Sequence, residues 1–181
     1  MTQVQVEVIV QDYWFAEAEA PVELSTWETW FQSWLQQLDP DLSMIRAYEL
    51  SLRLTNDAEI QTLNAQYRQK DQPTDVLAFA ALEAESLLPA DIQQEMPLYL
   101  GDIVISVETA QIQATQQGHS LQQELAWLAA HALLHLLGWD HPDEATLLKM
   151  LHQQEVLLQT IGLSSSYYQD DVQSGSLSIH S

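Results

Sequence analysis

Residues 131–141 read HALLHLLGWDH, and no other stretch restricts the possible folds as much. On a helix, His131 and His135 stand four residues apart, so both imidazoles leave the same face, one turn above the other. Gly138 follows three residues after the second His, where backbone free to turn left-handed can end the helix and bring the chain back. His141 then becomes a third ligand. Three neutral nitrogens with a fourth position left open describe a catalytic zinc site, whereas a structural site is closed by four protein ligands, usually including Cys. The chain contains no Cys. We therefore expect one zinc ion per chain on His131, His135 and His141. Imidazoles also accept nickel, copper and iron, so the spacing leaves the choice of divalent metal open.

The spacing is also that of metzincin proteases, HExxHxxGxxH, except that Ala132 stands where those enzymes carry their general-base Glu. Without that carboxylate a peptidase reading loses its acid–base group. The block more closely resembles that of the YbeY family of bacterial metal-dependent endoribonucleases, usually HGxLHLxGYDH, with Ala132 for Gly and Trp139 for Tyr. Residues 63–79, LNAQYRQKDQPTDVLAF, resemble the family's LNxx[FY]RxKDxPT[DN]VLSF, and residues 100–106, LGDIVIS, its LGDIxI strand. These blocks occur in family order. The resemblance implies an α+β fold, RNA-cleaving activity in ribosomal RNA maturation and ribosome quality control, and a functional role for Arg68.

A chain of 181 residues is long enough for one domain that buries roughly 70% of its unfolded surface. Alternation of Val4, Val6, Val8 and Val10 with polar residues marks a strand, and residues 45–54, 76–79 and 98–106 are further strands. Trp27, Trp30, Phe31, Trp34, Leu35 and Leu38 hold helical spacing after a cap at Ser25 or Thr26, and are core rather than base-stacking platforms. Asn56 and Glu59 form a cap pair for a helix that turns Ile60, Leu63 and Tyr67 inward. A helix over residues 107–117 ends at Gly118, Ser120 caps the long metal-bearing helix, and Asp143 opens the last one. Strands and helices do not alternate strictly, so the expected fold is α+β: a single domain over residues 1–163, with a small mixed sheet packed against helices and the zinc site on the long helix and its following turn. Residues 164–181, rich in Ser, Gln and Asp, are expected to form a mobile tail in which His180 is no ligand.

The formal charge of −21, with only five Lys and Arg, sets a limit on nucleic-acid binding, because neutralising phosphates supplies most non-specific affinity. Extended RNA should be repelled, so RNA chemistry must rest on a small local site, on the metal's charge, or on a partner that delivers the substrate. Arg68 is the candidate for stabilising charge on a reacting phosphate, since its planar fork matches phosphate oxygens; the alternative is an ion pair with Asp71 or Asp75. Asp140 could orient a ligand His or merely cap the turn, Asp102 needs a partner such as Arg68 or a His, Lys70 could touch phosphate, and His119 is expected to be structural. Three readings follow: an endoribonuclease acting on single-stranded ribosomal RNA, a ribosome assembly or binding factor with a structural zinc, and, opposed by Ala132, a metallopeptidase. Expected partners are ribosomal RNA and ribosomal or assembly-factor proteins, with no DNA. No apolar run approaches the ~20 residues of a membrane span, and the cytoplasm is the expected location.

Overall fold

The structure is a computed structural model that describes residues 3–15, 19–83, 89–165 and 167. Four strands, β1 (Gln5–Asp12), β2 (Ala47–Thr55), β3 (Val76–Ala80) and β4 (Leu98–Ser106), form one sheet in the order β1-β2-β4-β3. The first three in that order are parallel and β3 runs antiparallel on the edge. The helices are α1 (Leu24–Leu38), α2 (Asp57–Arg68), a short α3 (Ala90–Gln93), α4 (Val107–Gln117), α5 (Leu121–Leu136) and α6 (Glu144–Thr160). This is the mixed-sheet α+β domain expected. No helix among the described residues is long and apolar enough to cross a membrane.

Period-two alternation decides which side of the sheet each helix covers. Leu50, Leu52, Leu54, Ile103 and Ile105 point to one face and meet α1, α5 and α6 in the main core, while Leu77 and Val104 point to the other and meet Ile60 of α2. Trp27, Phe31 and Trp34 are almost fully buried, as their helical spacing requires. Each contributes about 1.5–3 kcal/mol through burial alone. The indole N–H of Trp34 donates to the Leu157 carbonyl at 2.9 Å, so α1 is tied to α6 without stranding a polar group.

Local capping matches the sequence at three helices and departs from it at one. Asn56 accepts from the Glu59 amide at 2.9 Å, and Ser120 and Asp143 each complete a capping box, with Gln123 and Thr146. The Thr146 amide and hydroxyl hold the Asp143 carboxyl below its ordinary pKa. Helix α1, by contrast, begins two or three residues earlier than a Ser25 or Thr26 cap allows: Glu23 is the cap residue, without a side-chain bond, and its carbonyl accepts from Trp27. Trp27, Trp30 and Phe31 must face the sheet together, and extending the helix backward brings a full turn behind them.

At the other end, the chain stays packed beyond residue 163. Ser165 donates from its amide and hydroxyl to the buried Glu155, and the Tyr167 hydroxyl donates to both oxygens of Glu124, which is fully buried. His119 lies 2.7 Å from the same carboxylate, the structural place expected for it. Tyr167 also stacks on Trp127 at 5.3 Å. The rest of the expected tail, residue 166 and residues 168–181 with His180, lies outside the described residues.

Candidate metal centre

Helix α5 runs through the core, with all but one of the residues from Glu124 to Leu136 buried. Its last turn closes as the His spacing and the glycine require: Gly138 has φ of 95°, and the Trp139 amide donates back to the Leu134 carbonyl at 2.9 Å. The returning chain brings His141 beside His131 and His135, with ring centroids 4.5 to 5.9 Å apart. One nitrogen from each ring falls within 4.8 Å of the others, and the Nε2 atoms of His131 and His135 are 3.1 Å apart. A tetrahedral ion with arms of about 2.0–2.1 Å to nitrogen separates its ligand atoms by about 3.3–3.4 Å. Small ring rotations reach that spacing, so the three residues fit a zinc-class ion.

Two features prepare the imidazoles as ligands. His131 is buried, and its Nδ1 lies 3.1 Å from Oε1 of Gln154, a fully buried residue of α6. The Gln154 amide nitrogen faces the Trp127 carbonyl at 3.5 Å, which orients the oxygen toward the ring. His131 therefore carries its proton on Nδ1, and the Nε2 lone pair is directed toward the other two rings. Burial, and then the neighbouring His141, lowers the pKa of His135, which favours the neutral, ligating form near pH 7. Gln154 was missed in the sequence, although a signal exists. It is a polar residue on the face of α6 that also buries Met150, Leu151, Leu157 and Leu158.

Gln154→Leu is accordingly expected to weaken metal binding by about 10–100-fold, the usual cost of losing such a partner. Competition against a chromophoric chelator measures it. Gln154→Glu, which keeps an acceptor at Nδ1, should retain most of the affinity, and equal affinities for wild type and Gln154→Leu would remove the orienting role.

His131 and His135 line a groove of about 1240 Å³ that continues past Ala132, Gly138 and Trp139 to the edge strand β3 and the segment after α2. Arg68 and Lys70 border it, so two of the chain's five Lys and Arg lie along one groove. Arg68 donates to the Ala78 carbonyl and places its guanidinium carbon 5.6 Å above the Phe79 ring. It does not form the ion pair weighed as an alternative. Asp71 instead accepts from Gln61, and the buried Asp75 accepts from the Val76 amide and from Gln113.

Other expected residues fall differently. Asp102 is bonded to Ser51 and Tyr99 on the outer sheet face, not to Arg68 or a ligand His. Burial, followed by the hydrogen bond to Asp102, raises the Tyr99 pKa. Asp140 caps its own turn by accepting from the His141 amide at 2.8 Å. Tyr67 does not turn inward; it is 56% exposed at the groove. Ile60 finds Leu77 and Val104 beneath it, whereas Tyr67, on the last turn of α2, meets the Phe79 ring of the edge strand β3 edge-to-face and leaves much of its own surface exposed.

Three converging imidazoles, two of them lining an open groove, on an α+β scaffold, define a candidate metalloenzyme. The family model described as "Endoribonuclease YbeY" matches residues 13–162. A protein of that name from Nostoc sp. is 56% identical over 171 residues, covering 89% of this chain and 92% of its own length. Another, from Picosynechococcus sp., is 58% identical over 143 residues, covering 77% and 85%. The chain belongs to the endoribonuclease YbeY family. The fold is also similar to the solution structure of TM1509 from Thermotoga maritima, with a TM-score of 0.52, 20% identity, and coverage of 86% of this chain and 89% of that one.

Proposed function

We propose that this protein is a zinc-dependent endoribonuclease that cuts single-stranded ribosomal RNA during its maturation and during ribosome quality control. Its family supports RNA cleavage, and the observation that carries the rest is the convergence of His131, His135 and His141, the first two of which line the groove that Arg68 borders. The three imidazoles would hold the ion. When bound, such an ion supplies Lewis acidity toward a phosphoryl oxygen and makes water nucleophilic near neutral pH. That is why Ala132, where a protease would carry its carboxylate base, does not count against phosphodiester cleavage.

The protein's own groups do the remaining work. Gln154 keeps the proton of His131 on Nδ1, away from the ion. Arg68 carries five N–H donors, of which one bonds Ala78 among the described residues, so its fork can take non-bridging phosphate oxygens as negative charge gathers on them. The Phe79 ring beneath the guanidinium limits its motion and keeps the charge at the groove.

The charge of −21 favours a second reading, a ribosome-associated assembly or binding factor in which the metal is structural and turnover slight. Metal-loaded protein incubated with single-stranded RNA and with casein separates the readings. RNA cleavage lost in His135→Ala, together with one metal per chain by elemental analysis that falls in His141→Ala, is the expected result. Cleavage of neither substrate favours the assembly factor, and cleavage of casein alone the peptidase.

A further inference from the structure

We propose that Tyr67 is a base-stacking subsite, receiving a nucleobase of the single-stranded substrate next to the phosphate held by Arg68. The inference rests on the endoribonuclease reading and adds where the base goes. Tyr67 is 56% exposed on the last turn of α2 and lines the same groove as His131, His135, Arg68 and Lys70. It meets Phe79 edge-to-face, with centroids 5.4 Å apart and planes at 68°. An edge-to-face pair covers at most one face of either ring, so a flat face of Tyr67 remains for another aromatic group.

Charge argues for the same occupant. A chain of −21 with two cations along the groove can release few counterions, since each neutralised phosphate of a single strand contributes a slope of only about −0.7 in log affinity against log salt. Affinity must then come from a contact that acidic surroundings do not weaken. Base–aromatic stacking is such a contact, and it selects unpaired over paired RNA because a base inside a duplex has no free face. Tyr67 and the Arg68 guanidinium both rest against the Phe79 ring, at 5.4 and 5.6 Å, so the π face and the phosphate-binding fork are offered side by side, as base and phosphate are within one nucleotide.

The test uses the metal-loaded full chain and a short single-stranded RNA, with a series of substrates carrying one abasic nucleotide at successive positions. KM and anisotropy-based affinity are measured for wild type, Tyr67→Leu and Tyr67→Phe. Loss of one stacked base weakens binding by roughly 5–150-fold, so Tyr67→Leu should raise KM by about tenfold or more, with a smaller change in kcat. Tyr67→Phe, which keeps the ring, should recover most of that loss. At one position the abasic substrate should bind wild type poorly and cost Tyr67→Leu nothing further. Wild-type cleavage with unchanged KM in Tyr67→Leu, or abasic penalties that stay additive at every position, overturns the subsite and leaves the enzyme reading standing. A wild-type protein that neither binds nor cuts the parent RNA overturns both.

Discussion

Arg68→Lys is expected to lower RNA cleavage by about 100-fold while metal content and melting temperature stay near wild type. Lysine keeps a positive charge but loses the planar fork that can take two phosphate oxygens at once. Removing one donor aimed at transition-state charge typically costs about 10²–10³ in turnover. A residue that merely braced the edge strand would behave differently. Exposed contacts of that kind contribute about 0–1 kcal/mol, so the change would appear in thermal stability and barely in rate. Steady-state cleavage, elemental analysis and a melting curve on the same preparation distinguish the outcomes. Unchanged turnover in both Arg68→Lys and Arg68→Ala would end the catalytic role and move weight to the assembly factor.

Gly101→Ala should be the most damaging small substitution in the sheet, costing at least about 3 kcal/mol and leaving little soluble protein. A Cβ at that position would stand 2.2 Å from the Phe79 carbonyl oxygen, 2.9 Å from a Leu136 methyl and 3.0 Å from the Ala81 amide nitrogen. Two of these atoms are backbone and cannot move aside, and φ of 138° is itself closed to most L residues. Gly118→Ala provides the comparison. Its φ of 71° is left-handed, but nothing lies within 4 Å of the added atom, so about 1 kcal/mol is expected. Urea unfolding midpoints measure both, and similar midpoints for the two variants would show that Gly101 is not closely approached. The site depends on this contact, because the end of α5 that carries His135 rests through Leu136 on Gly101.

Much of this could be read in the chain because it depends on residues close in sequence. The His131–His135 pair, the turn at Gly138 and the caps at Asn56, Ser120 and Asp143 each involve partners a few residues apart, and the structure realises each locally. The alternating strands were legible for the same reason. Their order was not: β4 inserts between β2 and β3 through pairings such as Leu52 with Ile103, which no local signal specifies. Tyr67 kept the inward periodicity of Ile60 and Leu63, yet it meets Phe79 of the edge strand edge-to-face and stays largely exposed. Asp102 found Ser51 across the sheet. Gln154 reaches His131 from 23 residues away, a contact that exists only once two helices have packed.

The position of Gln154 also sets an order of events during synthesis. His131, His135 and His141 leave the ribosome before residue 154, and before Tyr167, which packs on Trp127 one turn ahead of His131. A nascent chain thus presents three imidazoles while the group that fixes the tautomer of the first has yet to be made. If the three imidazoles hold an ion as proposed, its tight retention should arrive with α6, and a chain truncated before α6 is expected to exchange it more readily than the full chain.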